Sequence, residues 1–364
     1  MKKSNKFLSL ILILCLNQIL LNGANIQPVE RTVGKLKISI DPRMELLATV
    51  QLLSNYPMIN RDLPYSKDIL NYFKPFSSQE AVVMTDGILW EHGFVFDAPV
   101  KYMMYLSQPP ELERQITISD DLLLQRSGGI DNLEQYRKSI KQFAEISNFE
   151  TFWNSKQSFY NQILDITISD MTEIDIIKTL EDYFNETKES YNVVITPAFI
   201  GGYGFETPGA DGKNNVYSCI PTSSVKDNIP YIPTNSLLFF AWHEFAHPFV
   251  NPLADKYADR VSFSDKLFEP IKDAMEKYAY TLWQICVNEH IVRAVNVRLR
   301  ELHLDAQRAN TRLEYELKEH FIYIEPLIEK LKEFEKQRDE KNITFSEFYP
   351  ELLKVLDSLQ KSAH

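Results

Sequence analysis

Glycine and cysteine are both scarce in this sequence. Only 11 glycines occur among 364 residues, which excludes a collagen-like chain, serial glycine-rich phosphate loops and a turn-dense all-β fold. Of the three cysteines, Cys15 lies in the N-terminal apolar stretch, so Cys219 and Cys286 alone remain for the body of the chain. Two cysteines form at most one disulfide bond, which cannot stabilise a chain of this length by itself. The fold must therefore depend on its hydrophobic core. Their pairing stays open, and buried free thiols are slightly favoured.

Basic residues are fewer than acidic residues in this sequence. The sequence has 39 lysines and arginines against 50 aspartates and glutamates, which gives a formal net charge of −11. A surface this acidic repels nucleic-acid phosphates and anionic lipid head groups, so neither is expected as a partner. With 44% hydrophobic and 12% aromatic residues, the chain can bury a sizeable core. Its length suits one large domain or two ordinary ones, and nothing in it indicates the oligomeric state.

The N-terminus carries the long apolar stretch of the sequence. Lysines at positions 2, 3 and 6 precede an apolar run over residues 7–16, and small residues follow at the end of the stretch. This layout predicts a signal peptide over residues 1–24 and export to the periplasm or the extracellular space. Leu14 is bulkier than the residue that precedes a lipid-attachment cysteine, so no lipid anchor is expected at Cys15, although an uncleaved anchor stays open. No comparable run follows, and no transmembrane segment is expected in the mature chain.

The hydrophobic patterns predict an α+β fold that is mostly helical. Alternation of apolar and polar residues predicts strands near residues 37–42, 191–195 and 216–220. Helical periods begin at Pro42 and recur near residues 65–75, 133–146, 150–165 and 173–187. The segment Gly201–Gly204 indicates a bend or a bulge, and the pattern is helical from Ser236 almost to the end.

The charged part of the C-terminal region has its own pattern. Residues 305–342 predict long helices that face solvent, with a coiled pair as one arrangement. Acidic and basic residues alternate over 311–339, which indicates a solvated helix face rather than a basic patch for a partner.

A His-Glu-x-x-His motif lies in the segment that becomes helical after Pro233. His243 and His247 are four residues apart, so both imidazoles lie on one helix face and can reach one tetrahedral metal ion. Glu244 points about 100° around the helix, where it can hold a water molecule bound to the metal rather than join the ligands. The alternative, a pair of ordinary core histidines, is weak because the chain has only 7 histidines.

A catalytic zinc site needs a third protein ligand. The metzincin spacing would place glycine and histidine at positions that Val250 and Leu253 occupy, which excludes that class. Pro248 and Pro252 are also predicted to stop the helix.

Glu289 is the remaining candidate for the third ligand. It lies on the apolar stripe of a long helical pattern over residues 271–302. A carboxylate on a buried stripe is costly unless it is paired or bound to a cation, and a metal held by the two histidines would supply that cation. The alternative is an ion pair with Arg293 one turn later, and both can hold if Arg293 lies behind the metal ligand.

These residues resemble the gluzincin branch of the zinc metallopeptidases. More narrowly, the segments Ile40–Leu47, His243–Pro252 and Asn288–Ala294 resemble a family of secreted bacterial proteins catalogued as a domain of unknown function. The resemblance spans roughly residues 38–300 and leaves the C-terminal helices uncovered. It implies a zincin-like domain with a small mixed or antiparallel sheet over 25–302, and a helical segment over 303–364 packed on it.

The same resemblance implies a chemistry and a set of roles. His243, His247 and Glu289 would bind one Zn²⁺ per chain, Glu244 would be the general base, and a peptide or protein would be the substrate. In zincins an extended substrate lies beside an edge strand, for which 191–195 and 216–220 are the candidates. Polar residues near the motifs are hypothetical contacts to the transition state or to the ligands, namely Tyr203, Tyr257, His290 and Arg293.

Two other functions remain open at this stage. One is a zinc-binding protein without turnover, in which the metal joins two helices. The other is a secreted helical protein that binds a ligand and in which the His-Glu-x-x-His motif is incidental. Zinc content separates the second from the first, and the effect of Glu244→Gln on turnover separates an enzyme from a binder.

Overall fold

The structure is a computed structural model that describes residues 26–171, 173–209, 214–278 and 280–362. The predicted signal peptide at 1–24, with Cys15, lies outside these residues. Helices dominate and enclose a small mixed sheet, which confirms the prediction of a mostly helical α+β fold. In the described ranges, no helix is both long enough and apolar enough to cross a membrane. Cys219 and Cys286 are buried free thiols, as the sequence favoured.

The strands form a larger mixed sheet and a small hairpin. They are β1 Val29–Val33, β2 Leu36–Ile40, β3 Ser190–Thr196, β4 Tyr203–Pro208, β5 Asn214–Pro221, β6 Ser224–Lys226 and β7 Ile229–Tyr231. The larger sheet has the order β1-β2-β3-β5-β4, in which β2, β3 and β5 are parallel while β1 and β4 are antiparallel to their neighbours. The remaining two strands, β6 and β7, pair with each other.

The helices fall into two groups along the chain. Between β2 and β3 lie α1 Pro42–Leu53, α2 Pro64–Phe73, α3 Glu80–His92, α4 Asp97–Met104, α5 Asp121–Ser127, α6 Ile130–Ile146, α7 Phe149–Ser155, α8 Gln157–Ser169 and α9 Ile176–Phe184. After β7 come α10 Thr234–Glu244, α11 His247–Lys256, α12 Ala258–Ser262, α13 Lys272–Met275, α14 Trp283–His303, α15 Ala306–Lys318, α16 Ile324–Lys341 and α17 Phe345–Ser362. Short 3₁₀ helices cover Lys74–Phe76, Asp265–Ile271 and Glu276–Tyr278.

The sheet has β1 and β4 as its edges, and this corrects the sequence-based choice of an edge strand. The predicted candidates, 191–195 and 216–220, are β3 and β5, and both lie inside the sheet. The edge strand β4 begins at Tyr203, in the stretch expected to be a bend or a bulge. Its residues alternate between buried and partly exposed, as an edge strand with one covered face requires.

The start of α1 ties the sheet to the helices that follow it. The side chain of Asp41 caps the helix by accepting a hydrogen bond from the backbone N–H of Arg43 (2.9 Å). The guanidinium of Arg43 pairs with the Asp41 carboxylate (2.7 Å) and also donates to the carbonyl of Leu106 (2.8 Å). The motif Ile40–Leu47 therefore fixes the crossover between β2 and the N-terminal helices.

Glu45, one turn into α1, has a buried carboxyl group that accepts one side-chain hydrogen bond. The Tyr65 hydroxyl donates a hydrogen bond to its Oε2, and the Tyr160 hydroxyl lies 2.7 Å from that of Tyr65. Among the described residues Oε1 has no partner. Burial raises the pKa of Glu45 to about 8 despite the hydrogen bond from Tyr65, so the folded protein holds Glu45 as a neutral acid below that pH.

Replacing Glu45 with Gln is expected to reduce the pH dependence of stability. In the wild type, the folded state keeps the proton that the unfolded state loses above its ordinary pKa of 4.5. The contribution of Glu45 to the free energy of unfolding is therefore largest at low pH. This contribution falls by about 3 kcal/mol between pH 5 and pH 8. Urea unfolding of both proteins at the two pH values measures the difference, and the exposed Glu314→Gln on α15 is the control. If the free energy of unfolding of Glu45→Gln fell as much as that of the wild type between the two pH values, Glu45 would not be the buried neutral acid described here.

The segment with the His-Glu-x-x-His motif is helical, but its course differs from the prediction. The helix α10 ends at Glu244, and α11 begins at His247 after a short break. Neither proline stops α11, which continues to Lys256. Pro248 lies in the first turn, where its missing N–H needs no partner, and Pro252 is tolerated inside the helix.

The predicted long helix over 271–302 is shorter than expected. Short helical turns and an extended Leu282 occupy its first part, and α14 begins only at Trp283. The later part, which carries Glu289, is helical as predicted and is almost entirely buried.

The C-terminal helices surround α14 rather than forming an isolated coiled pair. Both α15 and α16 pack on α14, and α17 packs on α16 and α11. The buried face of α16 carries Leu327, Leu331 and Phe334. The fold therefore encloses α14 between α10 and α11 on one side and the C-terminal helices on the other, while the domain boundary at residue 302 stays a prediction.

Candidate metal centre

Three side chains from α10, α11 and α14 meet at one point in the core. The Nε2 atoms of His243 and His247 are 3.4 Å apart, and each lies 3.6 Å from a carboxylate oxygen of Glu289. One ligand atom from each residue lies within 4.8 Å of the others. The structure thus brings together the three residues that the sequence predicted as ligands.

The spacing of these atoms fits a tetrahedral metal ion. Zinc–nitrogen distances near 2.0–2.1 Å place tetrahedral ligand atoms about 3.3 Å apart, close to the separations found here. Burial, and then the positive charge of Arg293, hold the pKa of His243 well below its usual value, so its imidazole is the neutral form that binds metal. The residues present therefore fit a zinc ion.

His247 is oriented by a residue that sequence reasoning missed. Its Nδ1 lies 3.1 Å from Oδ1 of Asn251, one turn later on α11. A hydrogen bond from the far ring nitrogen fixes the tautomer that presents Nε2 to a metal. The signal was available, because Asn251 stands four residues after His247. Nδ1 of His243 has no partner among the residues that the structure describes.

A charge network extends behind Glu289. Arg293 lies 3.1 Å from the Glu289 carboxylate and 2.9 Å from that of Glu316. Arg312 also pairs with Glu316. The predicted ion pair of Glu289 with Arg293 is therefore present, and the same carboxylate also faces the two histidines, as a metal ligand would.

Glu316 contradicts the prediction of a solvated face over 311–339. It lies on α15 and is fully buried, where it bridges two arginines. A sequence pattern of alternating charge cannot distinguish a solvated face from a buried ion network, because both need opposite charges at helical spacing.

Glu244 lies beside the three ligands and against the edge strand of the sheet. Its partly buried position raises the pKa of the carboxyl group to about 7. A Cβ atom placed on Gly204 of β4 would come within 2.1 Å of Oε2 of Glu244 and 2.9 Å of its Cβ. The backbone of β4 therefore approaches Glu244 as closely as only glycine permits.

Tyr280 is a second residue of the site that the sequence did not reveal. It stands in the irregular segment before α14, is partly buried, and lies close enough to Arg293 for the guanidinium to act on the pKa of its hydroxyl. Burial raises the pKa of the Tyr280 hydroxyl, and the negative charges of Glu289 and Glu244 raise it further. It is therefore a protonated donor at neutral pH. No motif marks it, because the turn that brings it to the site depends on tertiary packing.

The other predicted contact residues do not join the cluster. His290 is buried on a different side of α14, where Nδ1 lies 2.7 Å from the carbonyl of Cys286 and the ring packs on Phe321. Tyr257 stacks on Tyr349 of α17, about 15 Å along α11 from His247.

Tyr203 lies on the edge strand but faces away from Glu244. Successive side chains of a strand point to opposite faces, and Gly204 occupies the face toward Glu244. The centroid of the Tyr203 ring lies 6.2 Å from that of the Phe199 ring. Of the four hypothetical contacts, only Arg293 belongs to the charge network of the site.

Comparison with known proteins identifies a family without assigning an activity. No curated protein and no solved structure matches the chain. A family model described as a domain of unknown function (DUF4932) matches residues 36–355. The match extends beyond the motif resemblance at 38–300 and takes in α15, α16 and most of α17, including buried Glu316. The chain therefore belongs to the DUF4932 family.

Proposed function

We propose that this protein is an exported zinc metallopeptidase that binds one zinc ion per chain. The observation that carries the proposal is the convergence of His243, His247 and Glu289, with the carboxylate of Glu244 beside them and outside the ligand set. The resemblance of the motif to gluzincins gives the same roles. A bound zinc ion would supply a Lewis acid and lower the pKa of water toward neutrality.

Glu244 has the properties of a general base for this reaction. Burial raises the pKa of its carboxyl group to about 7 in the metal-free chain, and a zinc ion beside it would lower that pKa, so the group would be an ionised carboxylate able to accept a proton. Glu244 would take a proton from the attacking water and deliver it to the leaving amine.

The edge strand β4 is the surface that we assign to the peptide substrate. Its outer edge has no neighbouring strand within the described sheet, and exposed edge groups can pair with an extended peptide. Gly204 places this strand directly against Glu244. A peptide added to β4 would therefore pass beside the base.

Replacing Gly204 with Ala is expected to lower kcat by about 10–100-fold, because the new methyl group displaces Glu244 and small displacements of catalytic groups are costly. Zinc content should not change, since the three ligands are untouched. Gly87→Ala on α3 is the matched control, because a Cβ there meets nothing within 4 Å. Unchanged kcat in Gly204→Ala would contradict the placement of Glu244.

Replacing Tyr280 with Phe is expected to lower kcat by about tenfold or more with little change in KM. The raised pKa of Tyr280 keeps its hydroxyl protonated, so it can donate a hydrogen bond to the oxygen that gains charge during hydrolysis. Tyr278→Phe is the control, because that residue instead bonds to Glu319. An equal effect of both variants on kcat would contradict this role.

A peptide library tests the proposed activity. The zinc-loaded mature protein is incubated with mixed peptides, cleavage is followed by mass spectrometry, and Glu244→Gln serves as the blank. Cleavage by the wild type alone supports the proposal. Bound zinc without any cleavage would instead favour a zinc-binding protein without turnover.

A further inference from the structure

A cavity of about 620 Å³ lies one helical turn from the metal centre, between α10, α14 and α15. Phe239 of α10 forms the wall nearest the metal centre, and its ring centroid is 6.0 Å from that of His243. The lining carries three arginines, Arg300, Arg308 and Arg312, against one carboxylate, that of Asp305. The cavity is therefore electropositive in a chain that is acidic overall.

Arg300 is the most unusual of these arginines. It is only 8% exposed, and its Nε donates to Oδ1 of Asn296 at 3.0 Å. No carboxylate among the described residues lies within ion-pair distance of its guanidinium, so the two terminal nitrogens remain for a ligand. Burial, and then the charge of Arg312, lower the pKa of Arg300 to about 10. The charge of Glu316 offsets this lowering only in part, and an anion bound in the cavity would give the guanidinium a direct partner.

Of the two neighbouring arginines, Arg312 shares its acidic partner with another arginine, whereas Arg308 has an acidic partner of its own. Arg312 packs on the Phe239 ring at 4.0 Å and pairs with Glu316, but Glu316 is shared with Arg293. Nε of Arg312 is buried and has no partner among the described residues. Arg308 is exposed at the mouth of the cavity and pairs with Asp305 at 2.6 Å.

The position of the cavity relates it to the metal centre. Asn296 on α14 donates to the carbonyl of Phe239 at 3.1 Å, and Glu289 lies two turns earlier on the same face of α14. The cavity therefore begins one turn from His243 on α10 and extends to Asn235, which is about 6–12 Å along the helix. An extended peptide covers that distance in about two to four residues.

We propose that this cavity binds a carboxylate of the peptide substrate two to four residues from the cleaved bond. The carboxylate is either the C-terminus of the peptide or an acidic side chain, both of which match the planar fork of an arginine. The role in substrate choice rests on the proposed peptidase function, whereas carboxylate binding itself does not.

Binding of four matched peptides tests the inference without turnover. The probes are N-acetyl-Ala-Ala-Ala-Glu and N-acetyl-Ala-Ala-Ala-Gln, each with a free or an amidated C-terminus, titrated calorimetrically into full-length mature Glu244→Gln with one equivalent of zinc. We expect at least one singly charged probe to bind at least about tenfold more tightly than the neutral one. Tighter binding of the Gln peptide with a free C-terminus would identify a site for the C-terminal carboxylate. Tighter binding of the amidated Glu peptide would identify a site for an acidic side chain.

Three arginine variants in the same background assign the binding to the cavity. Arg300→Gln should reduce the advantage of the charged probe to less than about threefold, and the exposed Arg308→Gln should reduce it even if Arg300→Gln folds poorly. Arg114→Gln, an exposed arginine away from the cavity, should leave it unchanged. The inference is overturned if the four probes bind alike, if none binds, or if both cavity variants retain the full advantage.

The wild type in the peptide library separates failure of this inference from failure of the proposed function. Arginine-dependent binding without cleavage would leave a carboxylate-binding cavity in a protein that is not a peptidase. Cleavage that does not distinguish acidic from neutral peptides would leave a peptidase whose cavity has no role in substrate choice.

Discussion

Replacing Glu244 with Gln is expected to lower kcat by about 10²–10⁴-fold while zinc content stays unchanged. Glutamine keeps the size and shape of the side chain beside Gly204, but its amide cannot accept a proton from water. Because Glu244 is not among the three converging ligands, its charge is not needed to bind the metal. The measurement is kcat with the best peptide from the library, together with zinc per chain in the same preparation.

A control for the loss of one carboxylate is Glu314→Gln, which removes an exposed charge from α15 and should leave kcat unchanged. Residual activity of Glu244→Gln within threefold of the wild type would show that Glu244 is not the base. Loss of zinc from Glu244→Gln would show that it is a ligand, and the roles assigned here would then be wrong.

The His243→Ala variant should lose zinc affinity by at least about 100-fold. It removes one of three residues whose ligand atoms lie within 4.8 Å of one another, and two remaining protein ligands do not hold a zinc ion tightly. Competition with a chromophoric chelator measures the affinity. His92→Ala is the control, because His92 is exposed at the end of α3.

Glu289→Gln provides an independent check on the third ligand. We expect it to weaken zinc binding by at least about tenfold, because an amide oxygen is a poorer ligand than a carboxylate. It also leaves Arg293 with Glu316 as its remaining acidic partner. Full zinc occupancy in either variant, in the presence of the chelator, would contradict the site.

The convergence of the three candidate ligands could be predicted from the sequence because their chemistry is local. Two histidines four residues apart determine their own geometry on a helix, and Glu289 stood out as a carboxylate on an apolar stripe. The two imidazoles still lie close together although α10 and α11 are separated by a break, since the short turn keeps both on the same side.

The residues around the ligands could not be predicted because they come from distant segments. Glu316 lies 27 positions after Glu289 in the printed numbering, and nothing local distinguishes it from its exposed neighbours. Tyr280 reaches the site through a turn in a stretch whose apolar period suggested continuous helix. Gly204 suggested a bend, whereas its actual role is the close approach of β4 to Glu244.

Elemental analysis of the purified mature protein tests the central claim most directly. After gel filtration in metal-free buffer, the account predicts close to one zinc ion per chain in the wild type and in Glu244→Gln, and far less in His243→Ala. A wild-type protein that contains no zinc and takes up none on addition would contradict it. His243, His247 and Glu289 would then be a buried polar cluster of the core.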